Sequence, residues 1–353
     1  MEASMNTLFR ILIVGAFIAM IIYFIDFSEG DNILESPSPV IKPIPNTKTI
    51  LQNSTTFERP QEGISTFIGQ STDEIIKIYG EPNYKYKTMF TYDLWIYNDF
   101  SNYIVVGVKN GKINQIYTNS ISVDISPYKL NIPATEIYAS TILDAEITVK
   151  IDDNIYILSM SEEDTFNRIL VKLDTIYAQL YIDAITTKLI GVRFLDGPTL
   201  VENQPYEMQF LGDLIEPPVQ SSHILLESHK YNAQQLKDLI NVYRVKYNKP
   251  ILLSDETLDQ VSVMLSEKRF NLEIDELAID HNELQQILQD YEIKYDKVEE
   301  AVAVGYIDPI ETIHGLLNST SHREIILNNR FNYFGIGVYN KYYTQIFLEN
   351  EIE

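Results

Sequence analysis

The stretch that decides the fold is NSTSHREIILNNRFNYFGIGVYNKYYTQIF, residues 318–347. It sets His322 in a serine-rich turn, where Ser321 can cap a short helix. Two aromatic segments with alternating apolar residues follow, joined at Asn340-Lys341. This alternation predicts two antiparallel strands linked by a tight turn. The stretch therefore predicts a short helix followed by a hairpin, and it raises the question of whether the histidine is there for chemistry or for packing.

The sequence before this stretch has the periodicity of helices. Apolar residues recur at helical spacing through residues 231–250, and Pro250 ends the run. Ser254 can cap a second helix, and Asp308 with Pro309 at the first helical position starts a third. Helices packed on a small antiparallel sheet form the α+β class, most economically as a three-layer sandwich.

A separate folded region comes earlier in the chain. GQSTDEIIKIYGEP, residues 69–82, is a short helix bounded by a capping box at Ser71 and by Gly80. The segments YDLWIY, NYIVVGV and KINQIYT follow, and Asn110-Gly111 between the last two is typical of a type I′ hairpin turn. This region is therefore predicted to be an α/β domain of short helices and antiparallel sheet.

The C-terminal part resembles a known family, the CAP or SCP superfamily of cysteine-rich secretory proteins, antigen 5 and pathogenesis-related-1 proteins, in its bacterial, cysteine-free branch. The motifs that carry the resemblance are INVYR, NSTSHREIIL and FGIGV. Their motif residues are Asn241, Arg244, Ser319, Arg323, Gly335 and Gly337. The region before it is similar to the CAP-associated N-terminal domain of membrane-anchored bacterial proteins. The resemblance implies an α-β-α sandwich for the C-terminal domain.

The resemblance also implies a cleft in which histidines and glutamates converge and can hold a divalent metal. Matched by motif, His322 lies in the SxxHR turn, Glu300 lies in EEAVAVG, and His281 lies in AIDHNE. These three are the candidate metal ligands, with zinc or calcium as the possible ion. Neutral imidazole and carboxylate suit zinc, and an open fourth position could activate a water for hydrolysis.

Three positions depart from the family pattern. Ala301 replaces an asparagine, Leu316 replaces a tryptophan, and Ser319 stands where many members have a second glutamate. Without that carboxylate, at most two imidazoles and one carboxylate remain. The alternative is that His322 bonds a neighbouring group in its turn and that Glu300 is a structural or surface carboxylate.

Composition excludes several classes of function. The formal net charge of -23, without a cluster of lysine and arginine, disfavours binding to nucleic acid. There is no cysteine, which removes disulfides, thiolate nucleophiles and sulfur-bound zinc. Any metal site must then be made of histidines and carboxylates.

The N-terminus predicts a membrane anchor. Residues 11–25, ILIVGAFIAMIIYFI, carry no charge, and residues 8–27 approach the length that spans a bilayer core. Arg10 precedes the run and acidic residues follow it, so the C-terminal domains are expected outside the cytoplasm. A single-pass anchor in the cell membrane is favoured, and a cleaved signal peptide is the alternative.

The sequence thus divides into five parts. These are a cytoplasmic tip with a transmembrane anchor (1–27), a Pro-rich stalk (28–62), the CAP-associated N-terminal domain (63–202), a linker (203–228) and the CAP domain (229–353). The expected function is non-catalytic binding in the bacterial cell envelope, to an extracytoplasmic protein, a wall polymer or a lipid. The alternatives are a metal-dependent cell-surface hydrolase and a lipid-binding module.

Overall fold

The computed structural model describes residues 33–37, 39–44, 54–141, 143–272 and 281–350. The predicted anchor at residues 8–27 lies outside these ranges. Within them, no helix combines the length and the apolar composition that crossing a membrane requires. The helices of the described part are α1 (Thr72–Tyr79), α2 (Ala134–Ser140), α3 (Glu162–Asn167), α4 (Gly197–Asn203), α5 (Ser222–Lys246), α6 (Glu256–Phe270), α7 (His281–Asp290), α8 (Pro309–Asn318) and α9 (Thr320–Ile326), with a 3-10 helix at Ile64–Phe67.

The strands of the described part form three sheets, ordered β3-β4-β5-β6-β11-β10-β9, β2-β12-β8-β7 and β1-β14-β16-β15-β13. Their bounds are β1 (Ile33–Glu35), β2 (Ile41–Pro43), β3 (Tyr84–Lys87), β4 (Asp93–Asn98), β5 (Tyr103–Lys109), β6 (Lys112–Thr118), β7 (Glu146–Ile151), β8 (Asn154–Ser159), β9 (Arg168–Leu173), β10 (Ile176–Asp183), β11 (Lys188–Asp196), β12 (Glu207–Leu211), β13 (Leu253–Ser254), β14 (Lys297–Val304), β15 (Tyr333–Tyr339) and β16 (Tyr342–Glu349).

The seven-stranded sheet is the frame of the first half of the chain. Its strands pair antiparallel. Asn110 and Gly111 both have positive φ at the β5–β6 turn, which confirms the predicted type I′ hairpin. One face packs on α1 and α2 through residues such as Ile75 and Ile137, whereas Tyr117 and Tyr181 on the other face belong to a hydrophobic cluster shared with α5 and α8. The sheet therefore has a core on both sides.

The last sheet, β1-β14-β16-β15-β13, carries helices on both faces. In β15, Phe334, Ile336 and Val338 point to the cluster that contains residues of α5, α8 and α9. Residues of α6 and α7 pack on the opposite face, where Ile346 and Leu348 of β16 are buried. The mixed helix-and-sheet architecture predicted from the sequence is confirmed, with an α-β-α sandwich at the C-terminal end.

Two helix caps differ from the sequence prediction. The side chain of Asp255, and not that of Ser254, accepts the hydrogen bond from Leu258 N–H at the start of α6. The last short helix begins at Thr320 after Ser319, so Ser321 lies inside it. Asp308 does cap α8, with Pro309 in the first turn, as predicted.

The predicted stalk differs most from the structure. Within residues 28–62, β1 pairs parallel with β14, and β2 pairs parallel with β12. The triplets Ile-Leu-Glu and Ile-Lys-Pro of these strands supply backbone groups to two sheet edges that would otherwise be open, and such edges favour pairing. These short segments are extended, as predicted, but they are parts of sheets instead of a free spacer.

The predicted linker at 203–228 also differs. Glu207–Leu211 is strand β12 at the centre of the four-stranded sheet, with Met208 buried. Ser222 already begins α5, a helix of 25 residues. The prolines at 217 and 218 mark a real break, but the alternating residues before them belong to the first domain.

Candidate functional site

Glu300, the candidate glutamate, lies on β14 and is paired inside the protein. Its Oε2 accepts a hydrogen bond of 2.7 Å from Arg269 Nη2, and Arg269 is completely buried. Arg269 Nη1 also donates to Thr344 Oγ1 at 2.8 Å. Burial raises the pKa of Glu300, and the Arg269 guanidinium partly offsets this effect. The carboxylate is therefore committed to an ion pair.

His322 lies on α9 and is buried, and its Nδ1 is 2.8 Å from Ser319 Oγ. His281 begins α7 on the protein surface, where its Nε2 is 3.0 Å from Gln285 Nε2. Among the described residues, no group of three histidine, aspartate or glutamate side chains could hold a metal ion.

The structure thus does not assemble the predicted metal site from His281, Glu300 and His322. The physical reasons lie in their partners. Glu300 neutralises Arg269, His322 bonds within its own turn, and His281 is on the surface. If Glu300 bound a metal ion instead, the buried guanidinium of Arg269 would be left unpaired, which costs several kcal/mol.

The INVYR residues hold the turn after α5. Asn241 exchanges two hydrogen bonds with the backbone of Leu252, at 3.0 and 2.8 Å. Arg244 donates to the carbonyls of Pro250, Ile326 and Asn328 at 2.6 to 2.9 Å. These motif residues connect α5 to the end of α9 and so act on the fold.

The remaining motif residues also make close contacts. Arg323 forms an ion pair with Asp183 of β10, at 3.0 Å, and donates to Leu317 O. Gly335 and Gly337 let α6 lie directly on β15, because a Cβ atom at either position would overlap the helix backbone. The glycine spacing in FGIGV is therefore a packing feature.

A buried charge network joins the two halves of the chain, and no motif in the sequence predicts it. Glu311 on α8 accepts from Arg168 Nη1 at 2.7 Å and from Tyr181 Oη at 2.7 Å. Arg193 forms an ion pair with Asp308 at 2.9 Å. Burial alone would raise the pKa of Glu311, but Arg168 and Arg193 outweigh it and hold this pKa below its ordinary value.

His314 lies beside this network on α8. Its ring stacks on Tyr181 with centroids 4.0 Å apart, and its Nε2 is 3.0 Å from Tyr117 Oη and 3.4 Å from Tyr243 Oη. Burial lowers the pKa of His314 to about 3, so the ring is neutral. Its partners lie on β6, β10 and α5, far from His314 in the sequence, so no local sequence signal predicts these contacts.

The structure contains an open apolar groove of about 830 Å³ between the two halves of the chain. Tyr84 and Tyr86 of β3 form one wall, and Ile336 and Val338 of β15 form another. The ring of Tyr86 stacks on Tyr231 of α5, with centroids 4.6 Å apart. This volume lies in the range that binds small apolar ligands.

Polar groups also line the groove. Lys237 pairs with Asp259, so these two charges are neutralised. His229 Nε2 accepts from the backbone N–H of Asn340 at 3.1 Å, and burial lowers the pKa of His229. The groove thus combines apolar walls with polar groups that have partners within the protein. Only the arrangement of the domains places Tyr84 and Tyr86 in a groove.

Comparison with known proteins identifies the two halves. The family model for the CAP-associated N-terminal domain matches residues 68–206. The chain is 31% identical over 300 residues to the uncharacterized membrane protein YlbC of Bacillus subtilis (strain 168), covering 84% of this chain and 87% of YlbC.

Two solved structures share the whole arrangement. An extracellular protein containing an SCP domain from Bacillus anthracis is 28% identical, with a TM-score of 0.75, and the match covers 86% of this chain and 100% of that one. A cysteine-rich secretory protein from Staphylococcus aureus, 24% identical, has the same fold with a TM-score of 0.77 and covers 91% and 99% of the two chains. The chain therefore belongs to the CAP (SCP) domain superfamily, in the group of proteins that carry a CAP-associated N-terminal domain.

Proposed function

We propose that this protein is a membrane-anchored, extracytoplasmic binding protein that takes an apolar ligand in the groove between its two domains. The observation that carries the proposal is the contrast between the family cleft and the groove. The family cleft residues are bonded internally, Glu300 to Arg269 and His322 to Ser319. The groove is open and has apolar walls.

The location rests on the sequence and on the relatives. The apolar run at 11–25 and the charges around it predict an anchor with the domains outside. The names of two relatives agree with such a location, since YlbC is called a membrane protein and the Bacillus anthracis protein is called extracellular.

Hydrolysis has weak support in the described residues. A metal-bound or base-activated water needs a carboxylate or imidazole that is free to take a proton or a metal. Glu300 is held by a buried guanidinium, and His322 Nδ1 lies at hydrogen-bond distance from Ser319 Oγ. The charge of Arg269 stabilises the ionised form of Glu300 within their ion pair. This carboxylate is therefore not free to act in catalysis.

The groove favours an apolar chain as ligand. Leu226 and Val263 line it and are exposed to solvent, at 62% and 41% of their surface. Covering such side chains contributes about 25 cal/mol per Å² of apolar area. The stacked pair of Tyr86 and Tyr231 gives the wall a fixed shape. An acyl chain of a lipid or an apolar peptide segment fits this chemistry.

Val263 offers a sharp test, because its neighbour Met264 is a matched control. Met264 lies next to it on α6, is similarly exposed and contacts Tyr291 away from the groove. In a chain beginning at Ile33, Val263→Trp should fill the groove and weaken binding of the apolar dye anilinonaphthalene sulfonate by about tenfold or more, equivalent to about 1.4 kcal/mol. Met264→Trp should bind the dye as the unchanged protein does.

Equal dye affinity in Val263→Trp and Met264→Trp, with both variants folded by circular dichroism, would contradict binding in the groove. Turnover of an ester or peptide substrate that is abolished by Glu300→Gln would instead support the hydrolase.

A further inference from the structure

One end of the molecule displays apolar side chains from four separate segments. They are Phe100, Ile121, Ile185 and Val245, which expose 37%, 73%, 51% and 38% of their surface. Phe100, Ile121 and Val245 surround a hollow of about 400 Å³, and Thr186, next to Ile185, also lines it. We refer to these four residues as the apolar end. Convergent apolar tips on several loops are unusual on a face that meets only water.

The charges at this hollow differ from those of the rest of the chain. Lys188 lines it and is exposed, and its lining contains no aspartate or glutamate among the described residues. Lys246 also lines it, but its Nζ points inward and donates to Asn119 O, and burial lowers its pKa to about 7. The chain as a whole has a formal net charge of -23. A patch with an exposed cation and no anion in so acidic a protein is complementary to lipid phosphates.

The N-terminal chain leads towards the same end. β1 runs parallel to β14 with Ile33 opposite Val302, so the N-terminal end of β1 points towards Lys297, where β14 begins. From Val302 to that end of the sheet is about 17 Å at 3.3 Å per residue. Five residues, 28–32, separate Ile33 from the predicted anchor, and they reach at most about 18 Å. The tether is therefore too short to hold this end far from the bilayer.

Hydrogen bonds locate the apolar end at this end of the sheet. Asn332 N–H donates to Leu348 O where β16 finishes beside the start of β14. Arg244, one residue before Val245, donates to Asn328 O in the same loop region. The opposite end of α5 lies at the other end of the sheet.

That opposite end provides the control. His229, near the start of α5, accepts from Asn340 N–H at the β15–β16 turn, beside the end of β14. Leu226 is also at the start of α5 and exposes 62% of its surface. It lies 19 residues before Val245 on one helix, about 29 Å away at 1.5 Å per residue.

We propose that the apolar end rests on the outer surface of the lipid bilayer, with Phe100, Ile121, Ile185 and Val245 in the interfacial region and Lys188 towards lipid phosphates. This inference rests on the proposed membrane anchoring. It fixes the orientation of both domains and leaves Leu226, which lines the groove, directed away from the membrane.

The absence of cysteine in the chain makes site-specific labelling simple. The full chain is reconstituted into vesicles of phosphatidylcholine and phosphatidylglycerol that contain a nitroxide lipid. A bimane label is placed on single cysteines at Ile121, Val245 or Leu226, and at Ala19 in the predicted anchor. Labels at Ile121→Cys and Val245→Cys should be quenched several-fold more than the label at Leu226→Cys.

The label at Ala19→Cys separates the two claims. If it is not quenched, the proposed anchoring fails. If it is quenched while Ile121→Cys and Val245→Cys are quenched no more than Leu226→Cys, the docking of the apolar end is overturned and the anchoring stands.

A second variant tests the contact directly. Ile121→Asp combined with Ile185→Asp changes two exposed loop residues, so the fold should persist. It should reduce quenching at Val245→Cys at least twofold, because charged side chains are disfavoured in the interface. Unchanged quenching at Val245→Cys would overturn the contact.

Discussion

At the scale of single residues, Glu300 and Arg269 decide whether the family cleft can work. In Arg269→Met the carboxylate of Glu300 stays buried without its cation. We expect the free energy of unfolding to fall by about 3–5 kcal/mol near neutral pH, the usual cost of breaking a buried pair. Urea denaturation measures this loss, and Glu300→Gln added to Arg269→Met should recover part of it.

The pH dependence of the same variant has a defined sign. Burial already raises the pKa of Glu300 above its ordinary 4.5, and losing Arg269 raises it further. The folded state then keeps a proton that the unfolded state has released, so the stability of Arg269→Met should fall as pH rises from about 4.5 towards neutrality. A variant whose stability is independent of pH over this range would contradict the buried ion pair.

The pH dependence of stability that arises from His314 has the opposite sign. Its pKa is about 3 in the folded protein and close to 6.5 when unfolded, so only the unfolded chain gains a proton between these values. Stability should therefore be complete above pH 6.5 and decrease as pH falls below it, by up to about 1.4 kcal/mol per pH unit. His314→Phe should remove about one proton from this slope, measured by denaturation between about pH 6.5 and pH 5.

His223 is the matched control, since its side chain is exposed at the start of α5. His223→Phe, which removes this exposed histidine, is measured in parallel under the same conditions. Equal slopes in His314→Phe and in the unchanged protein would show that His314 titrates normally.

At this scale, the sequence motifs identified residues that make specific contacts, but they did not identify which residues those contacts are made with. INVYR and SxxHR pointed to Asn241, Arg244 and Arg323, and each makes specific hydrogen bonds. The partner of Glu300 could not be read, because Arg269 is 31 positions away in a motif-free helix. Whether ligands converge depends on the fold, which residue spacing does not contain.

At the scale of elements, the contact of α6 with β15 depends on two glycines. A Cβ at Gly337 would overlap the backbone of Ser262 and Val263, which cannot move as a flexible side chain could. Gly337→Ala should therefore destabilise the protein by roughly 3 kcal/mol or more, at the upper end of overpacking effects. Chemical denaturation tests this, and Val219→Ala, at a fully exposed position, should change nothing.

Elements with local signals could be predicted and elements paired by tertiary contacts could not. The Asn110-Gly111 turn and the Asp308-Pro309 start of α8 have fixed local chemistry, and both were correct. β1 and β12 were assigned to a stalk and a linker because each is short and lies among prolines. They form strands because they pair with neighbouring strands of the sheets.

At the scale of the whole molecule, Glu311 joins the two halves of the chain. Glu311→Leu would leave Arg168 and Arg193 buried with one fewer anion, which should cost about 3–5 kcal/mol. Because the loss lies between the halves, we expect calorimetry to show one transition for the unchanged protein and two for Glu311→Leu. A single transition at lower temperature would mean that other contacts keep the halves cooperative.

The sequence predicted the two folded regions better than it predicted how they pack on each other. Two folded regions and their family resemblance were visible in the motifs, and the CAP-associated domain and the SCP relatives bear this out. The packing of the first sheet on α5 and α8 could not be predicted from the motifs, because it depends on tyrosines that carry no sequence signature. Both the charge network and the groove arise from that packing.

The most direct test of binding in the groove is native mass spectrometry of the full chain, purified from the membranes of its own host, beside Val263→Trp and Met264→Trp. We predict a bound apolar species on the unchanged protein and on Met264→Trp, and its loss from Val263→Trp. A bound species retained equally by all three proteins, or found on none of them, would contradict the account.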